Sequence, residues 1–387
     1  MDLKPFLKFM VDKTGSDLYL STGTPPSMKV DGKLARIGKQ SVTPEDTEAI
    51  AEAILNDSQK AQFEQEMELN LALSYSGLGR FRVNIFRQRG TVGLVIRRIY
   101  DQMPSFQELN LPSQVSDIIE TQRGMVLVVG ATGSGKSTTL AAMIDHRNRA
   151  HAEHIITVED PIEYVHQHHK SVVNQREIGM DTRSWESALE NTLRQAPDVI
   201  LVGEIRNAEV MDHVIAFADT GHLAISTLHS NNANQALERI VNFFSEDRYN
   251  QTLMDLSLNL QAIVSQRLVP RADGQGQVAA VEVLLNTPTL ADAIAQGQFG
   301  QVKEIMESSR DEGMQTFDQA LIDLYHAGLI TGDEAQSHAD SVNDVRLAIK
   351  MAKIEQGEAQ PEKEADYQID EGPEAPYSRG PGGSQRL

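Results

Sequence analysis

The chain has 387 residues, with 35 Lys+Arg against 55 Asp+Glu, a formal charge of −20, no cysteine and 40% hydrophobic residues. That length provides for two or three domains with cores of their own, and the missing cysteines exclude a disulfide scaffold, a thiol nucleophile and thiolate metal ligands. So acidic a body is repelled by nucleic acid and anionic membranes unless positive charge is gathered locally.

In chain order, MDLKPFLKFMVDKTGSD lacks a secretory apolar core and a small-residue cleavage site, which fits a cytoplasmic protein. Its Leu3, Phe6, Leu7 and Met10 fall at helical spacing, and the stripe is expected to dock on its own domain rather than on a membrane surface. Residues 16–99 read as short strands broken by Gly and Pro, with one helical stretch around Pro44–Glu66. Over Arg80–Phe86 the period is two: Phe81, Val83 and Ile85 point one way, Arg80, Arg82 and Asn84 the other. YDQMPSFQELNLPS (100–113) has two prolines and no sustained period, which marks a linker.

From about residue 113 the pattern changes. MVLVV (125–129), HIITV (154–158), DVILV (198–202) and HLAISTL (222–228) are continuous apolar or β-branched runs, as parallel strands covered on both faces require. Helical stretches such as Ser137–Arg149 and Ser184–Gln195 intervene, so the segment predicts a doubly wound α/β domain. The apolar runs are far shorter than the roughly 18 residues of a membrane span. RLVPRADGQGQVAAVEVLL (267–285) reads as two strands joined by a Gly-rich turn, and 289–353 as mostly helical. Residues 355–387 hold eight acidic and three basic residues, four Pro and five Gly, and predict a disordered acidic tail. The tail accounts for −5 of the charge and leaves −15 for the remainder, so the acidity is general.

Gly130-Ala-Thr-Gly-Ser-Gly135-Lys136-Ser137 fits G-x-x-x-x-G-K-[ST]. Glycines let backbone N–H groups curl around phosphates, Lys136 reaches the β- and γ-phosphates, and the Ser137 hydroxyl ligates Mg²⁺. A chance match in a chain this long is on the order of 1%. The loop follows a β run and opens a helix, which adds its dipole to the anion site.

In an open parallel sheet, ligands bind beyond the carboxyl ends of the strands. Glu159, Asp160 and Glu163 follow the second run, Glu204 the third, and His229 closes the fourth. Glu204 suits the acidic position that holds Mg²⁺ or its water, and Glu163 is a candidate base for an attacking water. His222 and His229 bracket the fourth run; a histidine there can sense a γ-phosphate or be a satisfied strand residue. His166, His168 and His169, with His151 and His154 nearby, lack carboxylate or thiolate partners at ligand spacing, so a solvated loop is expected rather than a metal site.

Arg80, Arg82, Arg87, Arg89, Arg97 and Arg98 crowd into nineteen residues that contain no acid. Three readings stand: a nucleic-acid patch, arginines that neutralise a neighbouring subunit's triphosphate, and a solvated strand face. The average charge of the chain hides this stretch.

GATGSGKSTT (130–139), ITVEDPIEYVH (156–166), LRQAPDVILVGEIR (193–206) and TGHLAISTLHSNNA (220–233) resemble the Walker A, Asp box, Walker B and His box of secretion-type ATPases. The PilT/PilU family of type IV pilus retraction motors is the closest likeness, over about residues 1–350, with SDLYLSTGTPPSMKVDGKL (16–34) similar to that family's PAS-like domain. The resemblance implies a PAS-like α+β domain over 1–99, a linker at 100–112, a RecA-like P-loop domain with a mostly parallel sheet and carboxyl-terminal helices over 113–354, and the tail. It implies a cytoplasmic ring hexamer, peripheral to the inner membrane, that hydrolyses ATP with Mg²⁺ and works with a PilT-type ATPase and the inner-membrane pilus platform, with no nucleic acid. By position it implies nucleotide binding by Gly130, Thr132, Gly133, Ser134, Gly135, Lys136, Ser137 and Thr138. It also implies catalytic roles for Glu163, Glu204, His222 and His229, Mg²⁺ at Ser137 and Glu204, and phosphate-reaching arginines at Arg82 and at Arg97 or Arg98, between which alternation does not choose.

One departure separates the chain from the PilT type. Leu290-Ala-Asp-Ala-Ile-Ala-Gln stands where an AIRNLIRE-like signature is expected, with Ala291 and Ala295 in place of arginines. Together with RQAPDVI (194–200) and the acidic extension, this resembles the PilU branch. Two further functions are kept beside the motor: an ATP-loaded scaffold for a partner ATPase with little turnover of its own, and a nucleic-acid translocase.

Overall fold

The computed structural model describes residues 2–30 and 32–355; the tail expected from residue 355 onward lies, apart from Glu355, outside the described residues. The opening apolar stripe forms the helix Lys4–Asp12, which buries Leu7 and Met10 in its own half of the chain. The sheet it covers contains β1 (Asp17–Leu20), β2 (Ser27–Val30), β3 (Lys33–Arg36), β4 (Glu68–Tyr75), β5 (Gly79–Gln88) and β6 (Thr91–Ile99). These pair antiparallel in the order β3-β2-β1-β6-β5-β4. Phe81, Val83 and Ile85 of β5 are fully buried, as their period of two requires, and each contributes roughly 1.5–3 kcal/mol by leaving water.

The single helical stretch expected over Pro44–Glu66 is two helices, Pro44–Ile54 and Asp57–Glu66. Leu55 is extended, and Asn56 starts the second helix with a capping box in which its side chain accepts the Gln59 N–H while Gln59 accepts the Asn56 N–H. A cap residue satisfies orphan amide groups and so stops one helix as it starts the next. Residues 100–112 run without helix or strand apart from a bridge between Tyr100 and Tyr164, where the Val165 N–H donates to the Tyr100 carbonyl at 3.0 Å.

The second sheet holds β7 (Gly124–Val129), β8 (His154–Glu159), β9 (Val172–Glu177), β10 (Val199–Val202), β11 (Leu223–Leu228), β12 (Leu260–Pro270) and β13 (Gln277–Leu285). Its order is β13-β12-β7-β11-β10-β8-β9, parallel throughout except for β13. The four apolar runs became β7, β8, β10 and β11, with separate cores on the two faces of the sheet. β9 was not anticipated: VVNQRE is an edge strand with no apolar run. β12 starts seven residues earlier than the sequence pattern suggested, at Leu260.

β12 and β13 extend beyond the sheet, and Val269, Val278 and Ala280 pack there against Phe317, Leu321, Leu324, Val345 and Ile349 of the helices Phe317–His326 and Val342–Glu355. Among the described residues no helix is long and apolar enough to cross a membrane.

Glu282 of β13 is buried between these layers, with its Oε1 accepting from the Ser265 hydroxyl and the Ala233 N–H, both at 2.7 Å. Burial pushes its pKa up to about 7; its two donors and Arg267 oppose the rise and Asp340 adds to it. A carboxyl that binds its proton more tightly folded than unfolded stabilises fully below its unfolded value near 4.5, and that contribution is lost as pH rises through about 7. Glu282→Gln should therefore flatten the stability profile between pH 5 and 8 by on the order of 3 kcal/mol. Melting temperatures measured across that range check this, and a profile parallel to the unsubstituted chain would refute it.

Candidate nucleotide site

β7 ends at Val129, residues 130–135 turn back on themselves, and the helix Lys136–Ala150 starts at once. Two glycines of the loop are irreplaceable on geometry. Gly130 has φ +153° and a Cβ there would meet Ser134 Oγ at 2.4 Å and the Gln266 carbonyl at 2.6 Å; Gly135 has φ +92° and its Cβ would meet Gln266 Nε2 at 2.8 Å. Gln266, from the neighbouring β12, therefore braces the loop from behind, and its Oε1 also accepts the Thr139 hydroxyl at 2.7 Å. Thr138 pairs with the Tyr164 hydroxyl at 3.1 Å.

Lys136 is buried and donates to the Gly130 and Ala131 carbonyls at 2.8 and 2.9 Å. Burial lowers its pKa, and Glu204 opposes that. Ser134 Oγ is buried without a hydrogen-bond partner. A buried unpaired hydroxyl costs free energy, and Ser134 belongs to a turn of the shape that cradles phosphate, whose Thr132, Gly133, Lys136 and Ser137 line a cavity, so the residues present fit a nucleotide.

A cavity of 290 Å³ opens in front of the loop, and its walls include Thr132, Gly133, Lys136, Ser137, Glu159, Asp160, Glu163, Glu204 and His229. The carboxyl ends of β7, β8, β10 and β11 thus meet at one place. Glu204 is held from two sides: its Oε1 lies 3.1 Å from His229 Nε2, and its Oε2 accepts from Arg206 Nε at 2.9 Å. Arg206 also donates to Asp160 Oδ2 at 3.1 Å, which ties the end of β10 to the loop after β8. Ser137 and Glu204 give oxygen donors of the hard kind that Mg²⁺ prefers.

Glu159, expected only as an acid at this edge, accepts from the Thr157 hydroxyl at 2.6 Å and Gln175 Nε2 at 3.2 Å. Burial pushes its pKa up to about 7, with the charges of Glu163 and Glu177 adding to the rise. His166 also lines the cavity; it is buried, its Nδ1 has no partner, and burial lowers its pKa to about 4, so it is neutral. His166 was expected in a solvated loop and is instead buried at the cavity wall, whereas Arg206, Gln266 and Tyr164 carried no sequence signal of their own, because each takes its place from a partner distant along the chain.

His222 lies apart from this cavity within the chain. It stands at the amino end of β11, its Nδ1 near the Phe217 carbonyl at 3.2 Å and the Thr220 hydroxyl at 3.1 Å. The whole of β11, about 20 Å of extended chain, separates it from His229 and from the cavity that His229 lines.

The arginines divide by register. Arg82 and Arg97 are cross-strand partners and share a face with Asp17, whose Oδ1 accepts from Arg97 Nε at 2.8 Å. That bond raises the Arg97 pKa most, and the nearby charge of Glu163 adds to it. Arg82 and Arg80 act electrostatically on Glu177 against the upward push of burial. Arg98 turns the other way, with its guanidinium 5.5 Å from the Tyr100 ring and Nη1 3.5 Å from the Val11 carbonyl. Within one chain, Arg97 thus pairs with Asp17, and Arg82 and Arg97 act on Glu177 and Glu163 respectively.

Among the described residues no cluster of histidines and carboxylates has metal-holding geometry. His151 is paired with Glu120, His168 accepts the Val173 N–H, and His169 faces Asp145.

This fold and site define a P-loop α/β ATPase of the secretion type. The family model described as Type II/IV secretion system protein matches residues 4–331. The Type IV pilus ATPase PilU of Pseudomonas aeruginosa is 54% identical over 91% of this chain and 92% of its own length. The PilT retraction ATPase of the same organism is 39% identical over 88% and 98%. A crystal structure of the pilus retraction motor PilT with bound ADP superposes with a TM-score of 0.84 at 37% identity, covering 90% of this chain and 99% of that one. The chain belongs to the PilT/PilU family of secretion ATPases.

A carboxyl in the cavity that titrates near 7 places a pH dependence on nucleotide binding. Below pH 7 Glu159 is neutral and repels a polyphosphate less; above it the charge appears. KM for MgATP should rise about threefold from pH 6 to pH 8, roughly 0.6 kcal/mol, and Glu159→Gln should remove most of that rise in steady-state assays across the range. In the same assays Arg206→Ala should cut kcat about tenfold, since two carboxylates lose their shared cation.

Proposed function

We propose that the chain is an ATP-hydrolysing hexameric motor of a type IV pilus machine that powers or assists pilus retraction, in the manner of a PilU-like accessory ATPase. The observation that carries this reading is the convergence of the P-loop, Glu163, Glu204 and His229 on one cavity. The reading divides the chain into an amino-terminal unit over 1–99, a connector at 100–112 and an ATPase unit over 113–354. It sets the ring on the cytoplasmic side of the inner membrane, beside a PilT-type ATPase and the pilus platform.

In this mechanism the backbone N–H groups of 130–135 and the Lys136 ammonium hold the β- and γ-phosphates, and the helix Lys136–Ala150 directs its dipole at them. The Ser137 hydroxyl and Glu204 would hold Mg²⁺, directly or through water, and the ion would supply charge neutralisation at the phosphates. Glu163 takes a proton from the attacking water as its oxygen bonds to the γ-phosphorus; the bond from that phosphorus to the β,γ-bridging oxygen breaks, and ADP leaves with the electron pair. His229, fixed by Glu204, donates to the γ-phosphoryl oxygens and reports their departure. Arg82 and Arg97 add positive charge from the first sheet, so the fit of the two halves depends on the charge in the cavity.

A scaffolding ring with little turnover is the second reading. It is favoured by Ala291 and Ala295, half-buried on the helix Pro288–Ala295, where the PilT type carries arginines.

Steady-state phosphate release decides between them. Lys136→Ala and Glu204→Ala should each lose about 100-fold, and a starting protein no faster than these variants would remove the motor reading. Arg97→Ala should lose about tenfold in kcat/KM and Arg98→Ala less than twofold, as their opposite faces require; equal losses would contradict the assignment of the arginines.

A further inference from the structure

β12 presents consecutive residues to opposite faces of the sheet. Gln266 braces the P-loop, while Arg267 turns to the other side, where Ser265 and Glu282 also lie. The Arg267 guanidinium sits 3.9 Å from the centroid of the Phe317 ring. Its Nη1 donates to the His338 carbonyl at 2.8 Å, and its Nη2 lies 2.6 Å from Asp340 Oδ1 and 3.4 Å from the Asn231 carbonyl. Asn231 is two residues past His229, and Ala233, two further on, is held by Glu282. Residues 338–341 are themselves fixed, because Asp318 accepts the N–H groups of Asp340 and Ser341 and pairs with Lys303.

We infer that Arg267 is a positioning residue for hydrolysis: it holds the loop after His229 to the carboxyl-terminal helices, so that the seating of those helices sets how His229 meets the nucleotide. A planar fork with several donors spans two carbonyls and a carboxylate at once, and a lysine ammonium does not. The second carbonyl is reached only at the long edge of hydrogen-bond range, so a small shift of 338–341 releases Asn231 first. The device links two elements with no covalent neighbourhood, through one side chain with partners on each. It rests on the reading of the cavity as the hydrolysis site.

The test uses the full-length ring. Asp340→Ala lies outside the cavity, yet it should lower kcat about fivefold with KM for MgATP changed less than twofold, the signature of an interaction made in the transition state. Arg267→Ala should do the same, and the double variant should be no slower than Arg267→Ala alone, since both act through one contact. Arg267→Lys should recover melting temperature without recovering kcat, which a purely structural role would not produce. Hydrogen exchange at 229–233 should quicken in Asp340→Ala while 136–150 stays unchanged. Unaltered kcat in a folded Asp340→Ala ring, additive losses, or faster exchange across the whole sheet would each overturn the inference. Lys136→Ala serves as the control: if it turns over at the full rate the reading of the cavity itself falls and the inference with it, whereas an inactive Lys136→Ala beside a fully active Asp340→Ala removes only the role of Arg267.

Discussion

The site depends on one constraint: four strands must run the same way. β7, β8, β10 and β11 are mutually parallel, with β10 between β8 and β11 and β11 against β7. Each carboxyl end therefore opens on the same edge, and the loop that leaves each strand carries a different chemical group to it. Reversing any one strand would send its glutamate or histidine to the far edge, as the position of His222 demonstrates. The burial of both sheet faces makes that parallel arrangement affordable, since crossover helices cover the apolar side chains that parallel strands expose.

Gathering strand ends also gathers charge. Glu159, Asp160, Glu163 and Glu204 surround one cavity, and so many carboxylates repel one another as well as a triphosphate. Three devices moderate this. Burial raises the Glu159 pKa to about 7, so its charge is partial at neutral pH. Arg206 stands between Asp160 and Glu204. Arg80, Arg82 and Arg97 approach from the first sheet toward Glu177 and Glu163. The third device makes the two halves electrostatically dependent on each other: any event that changes charge in the cavity changes the attraction between the sheets. Six of the chain's arginines lie within residues 80–98, so the dependence is concentrated on and around β5 and β6.

What the sequence made legible follows the range of the interactions involved. The apolar runs of β7, β8, β10 and β11 and the P-loop glycines are local patterns, and each was readable from a few neighbouring residues. β9 was not, because VVNQRE is an edge strand whose pairing comes from β8 rather than from its own composition. The helix break at Asn56 was local but needed its cap to be recognised within a long polar helix pattern. Arg97 and Arg98 could not be told apart by alternation, since both border apolar residues, and only the pairing of Arg97 with Asp17 and Arg82 separates them. His222 and His229 border one strand at opposite ends, and spacing alone does not tell which end faces the cavity. Arg206 and Gln266 were invisible because their roles arise from partners on other strands.

The long-range contacts converge on two adjacent threonines. Thr138 pairs with Tyr164, whose ring lies 6.2 Å from that of Tyr100, at the junction with the first sheet. Thr139 pairs with Gln266, whose neighbour Arg267 clasps the carboxyl-terminal helices. The helix that follows the P-loop is thus gripped in its first turn from opposite directions, by one residue that belongs to the amino-terminal contact and by one that belongs to the carboxyl-terminal contact. Any displacement of Lys136 and Ser137 would carry both threonines with it, because the helix is rigid over that distance. Movement in that turn would then bear on two larger packed surfaces at once, and packed surfaces respond by switching between arrangements rather than by deforming smoothly. The turn that follows the P-loop is accordingly where the two sets of contacts meet, and the residues beside the motif, rather than the motif itself, decide what that turn is connected to.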